Sequence, residues 1–220
     1  MPETDDSSLQ AQIATFQQQS AGKMSPEQRE RMAARRAQLV QTGIADQSLK
    51  VGEVAPDFTL PDAYSNPVVL SELLTQGPVV LTFYRGDWCP YCNLTLRAYQ
   101  KVLPEIEKLH ATLVAVSPQT PDNTLLTVQH KDLTYPVLSD LGNRVAHQFR
   151  LVWSIPEDQR TTSANLPQHN GDASWELPVP GTFVISPDRI VQLAWVNADW
   201  TERLEPSVII ETLQQLVKTN

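Results

Sequence analysis

Apolar positions change their rhythm along this chain. Leu9, Ile13 and Phe16 recur at helical spacing through a Gln- and Ala-rich stretch that Gly22 interrupts. A second helix is predicted to start at Ser25-Pro26-Glu27-Gln28. Ser25 can cap the free N–H groups there, Pro26 suits the first helical position, and Gln28 can reach back to close a capping box. Gly43 is placed to stop it. Arg29, Arg31, Arg35 and Arg36 make this helix basic, which reads as a solvated face or as a docking or dimerisation arm.

From Val51 onward the rhythm becomes strand, helix, strand. Pro78 to Tyr84 (Pro-Val-Val-Leu-Thr-Phe-Tyr) lacks polar alternation, the pattern of a strand buried on both faces, and Ala111 to Val116 repeats it. Between them a helix is predicted from Pro90 to Leu109, with Leu96, Tyr99, Leu103 and Ile106 on one stripe and a kink at Pro104. This is a parallel strand–helix–strand unit. Thr182–Ile185 and Val191–Val196, joined by a turn at Ser186-Pro187-Asp188-Arg189, read as a hairpin. A last helix carries Ile209, Leu213 and Leu216. The Pro-, Asn-, Gln- and Ser-rich stretch 152–180, with Trp153 and Trp175, reads as one long loop, and loops of that length are often functional.

Composition narrows the class. The 220 residues are 41% hydrophobic and 19% charged, enough for one core plus an appendage. The division is a helical N-terminal extension over 1–48 and an α/β domain over 49–220. Seventeen Lys and Arg against 25 Asp and Glu give a net charge of −8, the wrong balance for a nucleic-acid binder. Apolar runs such as Val79–Leu81, interrupted by Thr82, are far too short to span a bilayer. Glu3, Asp5 and Asp6 open the chain with no apolar signal region, so the cytoplasm is the expected compartment. Neither GxGxxG nor GxxxxGK[ST] occurs, so those nucleotide-binding devices are not expected, and no other cofactor is called for.

The chemistry is carried by two cysteines, Cys89 and Cys92, in Cys-Pro-Tyr-Cys directly after a buried strand. A close pair in a reducing compartment points to catalysis or metal binding rather than a staple. At a helix N-terminus, the macrodipole and unpaired N–H groups favour a thiolate, so Cys89 is expected to ionise below the ordinary thiol value. Cys92, one turn deeper, is placed to close a disulfide onto it. A zinc site would need two more ligands, and His110, His130, His147 and His169 show no ligand spacing; no metal is expected. Two inert buried thiols are the remaining alternative. Val179-Pro180, just before the Gly181-Thr182-Phe183 strand, is a candidate cis bond facing the cysteine pair, with an ordinary trans proline as the alternative.

These segments resemble a family. Val51-Gly52-Glu53-Val54-Ala55-Pro56-Asp57-Phe58-Thr59-Leu60, Val80 to Cys92, Pro136-Val137-Leu138-Ser139-Asp140 and Gly181-Thr182-Phe183-Val184-Ile185 look like the AhpC/TSA (peroxiredoxin) family. The match is nearest to its peroxiredoxin-like subgroup with Trp-Cys-Pro-Tyr-Cys, which is also similar over Trp175 to Pro180. The resemblance covers about residues 49–206. It implies an α/β thioredoxin-like fold, a central mixed sheet flanked by helices, with the N-terminal helices outside it. The departures are specific. Where peroxiredoxins carry Pro-x-x-x-Thr/Ser-x-x-Cys and a later arginine, this chain has Arg85, Cys89, Cys92 and Pro180 respectively. A dithiol and a candidate cis proline are instead the equipment of thioredoxins and glutaredoxins.

The resulting expectation is a thiol–disulfide oxidoreductase: Cys89 attacks, Cys92 resolves, and Trp88, Tyr91, Arg85 and Pro180 line or support the groove. Arg85 would favour the thiolate, with Asp87 partly opposing it. The alternative is a thiol peroxidase reducing hydroperoxides, with Cys92 peroxidatic and Cys89 resolving. Either would draw electrons from thioredoxin or glutathione, and a homodimer is compatible with both. A non-enzymatic redox sensor or interaction module is the third reading.

Overall fold

A computed structural model describes residues 8–163 and 165–219, without the side chains of 161–163 and 219. The acidic opening, Glu3, Asp5 and Asp6, lies outside them. Three helices come first: α1 (Leu9–Lys23), α2 (Pro26–Gln41) and α3 (Ile44–Gln47). A ribbon of β1 (Thr59–Pro61) and β2 (Pro67–Val69) follows, then α4 (Leu70–Leu74). The central unit is β3 (Val79–Phe83), α5 (Pro90–Lys108) and β4 (Thr112–Ser117). Next come α6 (Pro121–Lys131), β5 (Val137–Ser139) and α7 (Arg144–Gln148). Then β6 (Val152–Ser154), α8 (Leu166–Asn170) and β7 (Glu176–Pro178) lead to β8 (Gly181–Ile185), β9 (Val191–Val196) and α9 (Pro206–Thr219).

Five strands form one mixed sheet in the order β5-β4-β3-β8-β9. β3 pairs parallel with β4 and antiparallel with β8, so it lies at the centre, and every residue of β3 is buried. That is why its sequence shows no alternation: adjacent side chains enter different cores. Val80 joins Leu96, Tyr99, Ile209 and Leu213 on the face covered by α5 and α9. Leu81 and Phe83 join Phe58, Leu70 and Phe149 on the other. There Phe83, Phe149 and Phe183 stack with centroids 5.0–6.1 Å apart. The expected β8–β9 hairpin is present, and α5 runs through Pro104 as one helix.

Two expectations change. The stretch 152–180 is not one loop: β6 and β7 pair antiparallel, and Ile155, Leu166 and Leu177 bury one another beneath Trp153 and Trp175. Three-residue strands are too short for periodicity to mark, which is why the lobe escaped the sequence pattern. The N-terminal helices, placed outside the domain by the sequence, also pack on its body. The Ser25–Gln28 capping box starts α2 as expected, but Leu9 and Ile13 are buried with α5 and α9, and Leu39 joins the opposite core. The Glu205 carboxylate accepts the backbone N–H groups of Leu9 (3.2 Å) and Gln10 (2.7 Å), holding the start of α1 on the body. Among the described residues no helix is long and apolar enough to cross a membrane.

Candidate active site

β3 ends at Phe83, and the chain turns through Tyr84–Trp88 into α5, whose N-cap is Cys89 and whose first residue is Pro90. Gly86 is required in that turn. Its φ is +146°, and a Cβ there would collide with the Trp88 indole. Tight apposition of Gly86 and Trp88 fixes the loop, and the Cys89 N–H donates to the Gly86 carbonyl at 3.1 Å.

Both cysteines are free thiols. Each is only 1% exposed, so Cys89 is not an open thiol. Cys89 instead lies in the wall of a cavity of about 390 Å³, closed on one side by Phe16, Met24 and Met32 of the N-terminal helices. Trp88, Tyr91 and Arg85 share that cavity, as the sequence suggested, and Tyr91 packs edge-on against Phe16 at 5.3 Å. Cys92 does not reach it. Cys92 borders a far smaller space, about 10 Å³, with Thr82, Thr182 and Pro180.

Pro180 is therefore placed differently from expectation. Among the described residues no peptide bond is cis, and Pro180 lies buried on the Cys92 side rather than beside Cys89. The reason is register: Gly181 pairs with Phe83 in β3 and with Val196 in β9, which pulls the preceding proline into the sheet interior.

Sequence reasoning missed Arg203. It is 5% exposed and donates Nη2 to Cys92 Sγ at 3.2 Å, with Cys89 Sγ 3.9 Å away. Its Nη1 donates to the carbonyls of Trp200 and Glu202, both at 2.6 Å, so the guanidinium is held in place before any chemistry. Burial opposes the Arg203 charge, but the charges of Cys92 and Cys89 outweigh it and raise its pKa. A buried cation of this kind persists only with an anion beside it.

The anion belongs to Cys92. Burial pushes the Cys92 thiol up, yet the Cys89 S–H, Arg203, the Arg85 backbone N–H and the Arg85 charge together hold it well below the ordinary range. Cys89 moves the other way. Burial raises it, its hydrogen bond to Cys92 and the Cys92 charge raise it further, and Arg85 and Arg203 recover only part. The expectation of a depressed Cys89 is thus corrected: the helix N-terminus is a weaker influence than a guanidinium in direct contact with the neighbouring sulfur. The Cys89 S–H is directed at the Cys92 sulfur, and the two thiols titrate as a pair.

Arg85 sits between two indoles, 4.8 Å from the Trp88 centroid and 5.1 Å from that of Trp200. Asp87 has partners of its own. That carboxylate accepts from Gln119 Nε2 at 3.0 Å and lies 3.8 Å from His169 Nδ1.

Residues 51–194 match the AhpC/TSA family. The chloroplastic peroxiredoxin Q of Sedum lineare is 30% identical over 146 residues, 66% of this chain and 68% of its own. The chain thus spans about two thirds of the curated relatives it matches. The crystal structure of peroxidoxin BcpB from Mycobacterium tuberculosis superposes with a TM-score of 0.62 at 26% identity, over 76% of this chain and 98% of that one. PrxQ of Xylella fastidiosa, as a cysteine-to-serine mutant, superposes with a TM-score of 0.60 at 20% identity, over 78% and 97%. The fold is thioredoxin-like, and the chain belongs to the AhpC/TSA family.

Proposed function

We propose that the chain is a dithiol oxidoreductase that cycles Cys89 and Cys92 between dithiol and disulfide, with small oxidants, hydroperoxides foremost, as its substrates. One observation carries this reading: Cys89 lines the cavity while Cys92 lies behind it, its sulfur 3.2 Å from Arg203 Nη2. A hydroperoxide fits such a cavity, whereas an extended protein disulfide does not reach a sulfur 1% exposed. Relatives named peroxiredoxin support the same substrate class.

In the proposed cycle the Cys89 sulfur attacks the terminal oxygen of the hydroperoxide as its proton passes along the hydrogen bond to the Cys92 sulfur. The O–O bond breaks, the alkoxide leaves and takes a proton from solvent, and Cys89 becomes a sulfenic acid. The Cys92 thiol attacks that sulfur and water departs with its proton. Dithiol monoanion, hydroperoxide and one proton give disulfide, alcohol and water. An external thiol donor of the thioredoxin or glutathione class then restores the dithiol. Such a cycle belongs in a reducing compartment such as the cytoplasm. Cys92 thus acts first as base and then as resolving thiol, and Arg203 supplies the guanidinium that the family places elsewhere.

The test is stoichiometry. Titration of the reduced protein with cumene hydroperoxide is expected to consume one equivalent and leave one Cys89–Cys92 disulfide, seen by intact and peptide mass. Consumption no faster than by free cysteine would reject the peroxidase chemistry, and rapid reduction of a large protein disulfide would reject the restriction to small oxidants.

A further inference from the structure

We infer that the cavity beside Cys89 selects oxidants carrying a carboxylate on an apolar body, with Arg85 as the residue that anchors the carboxylate. This rests on the proposed chemistry at Cys89 and names its substrate class.

The cavity's walls are largely apolar. Phe16, Met24 and Met32 come from the N-terminal helices, and Trp88, Trp153 and Trp200 from the body. Among the described residues no aspartate or glutamate lines it, although the whole chain carries a net charge of −8. Two arginines do, Arg35 and Arg85. Arg85 is the distinctive one. Among the described residues its guanidinium takes part in no hydrogen bond and no ion pair, and its Nε is buried without a partner. It lies against two indole faces, which satisfy its charge in part but give its buried Nε–H no acceptor. Leaving that donor unmet beside a mostly apolar cavity is costly, and a planar carboxylate removes the cost by taking it and a neighbouring Nη–H in two parallel hydrogen bonds. An uncharged oxidant of the same shape would leave that donor unmet. The two tryptophans fix the plane of the fork, so an incoming carboxylate meets an oriented receptor. Arg85 and Cys89 share the cavity, so a molecule held by its acid group presents its apolar body, and the hydroperoxide on it, to the sulfur. The reaction is unchanged: the O–O bond breaks, the dithiol is oxidised, and alcohol and water leave.

A matched pair of oxidants tests this. Cumene hydroperoxide and its para-carboxylate differ only in the acid group. The wild type is expected to show kcat/KM about tenfold or more higher for the carboxylate, the size of one charged hydrogen-bonded contact. Arg85→Gln is expected to bring that ratio close to one, with Arg85→Lys in between. Met32→Glu, at a partly exposed wall position, is expected to lower the ratio by repulsion. Because the ratio is taken within each variant, any effect of Arg85 on sulfur reactivity cancels. A wild-type ratio of one or less, or a ratio unchanged in Arg85→Gln, overturns the inference. Binding of 4-isopropylbenzoate, which has no O–O bond, is followed separately by tryptophan fluorescence. Saturable binding lost in Arg85→Gln, with no hydroperoxide turnover, would uphold the anchor and reject the redox reading. Equal turnover of both oxidants without acid binding would do the reverse.

Discussion

At the scale of single residues, one contact organises the chemistry. Arg203 Nη2 lies 3.2 Å from Cys92 Sγ and fixes which sulfur holds the charge. In the proposed cycle the reactive form is the monoanion. As pH falls through its ionisation, Cys92 gains a proton, loses its capacity as base, and the rate falls. Arg203 lowers that ionisation, so its removal moves the acid limb of the profile toward alkaline pH. Arg203→Leu is therefore expected to slow peroxide reduction near neutrality and to regain rate as pH rises; a limb at unchanged pH would remove Arg203 from this role. Little of this was legible in the sequence. The Cys-Pro-Tyr-Cys spacing announced a dithiol, because it places two sulfurs on one side of a helix. Nothing around Trp200–Leu204 marks Arg203 as different from any surface arginine, since its partner lies 111 residues away. Pro180 failed for a related reason: its neighbours follow from strand register rather than from the dipeptide.

At the scale of elements, α1 is the surprise. Its stripe of Leu9, Ile13 and Phe16 was readable, but not the surface that accepts it, which is assembled from α5 and α9 near opposite ends of the domain. Helix α1 is held by burial of that stripe and by Glu205 across its first turn. Ile13→Ala is expected to cost about 2–5 kcal/mol, the usual penalty for truncating a buried isoleucine. Glu205→Ala is expected to cost about 1 kcal/mol, as a lost helix cap. Denaturant melts measure both, and hydrogen exchange would localise the second to α1; equal loss of protection across β3 and α1 would contradict a local cap. The 152–180 lobe makes the same point. Its Trp153 reaches the cavity, while β6 and β7, the strands supporting it, are too short to announce themselves.

At the scale of the whole molecule, the sheet and its two cores were the legible part. β3, β4, β8, β9 and α5 each carry an apolar pattern that permits little else, and their order leads to the observed topology. The N-terminal helices change what that scaffold can do. They wall one side of the space over Cys89, and the proposed function makes that wall a limit on the size of what reaches the sulfur. Phe16→Ala, which removes the ring packed on Tyr91, is expected to speed alkylation of Cys89 by a bulky maleimide more than by iodoacetamide. Equal acceleration by both reagents would show that the wall does not discriminate by size.

The account stands on the division of labour between the two sulfurs, and single-turnover oxidation of the two serine variants probes it most directly. Tryptophan fluorescence after mixing with cumene hydroperoxide should show Cys89→Ser almost inert. Cys92→Ser should still react, more slowly than the wild type, and form a sulfenic acid on Cys89. Rapid oxidation of Cys89→Ser, with the sulfenic acid on Cys92, would contradict the assignment of Cys89 as the attacking sulfur.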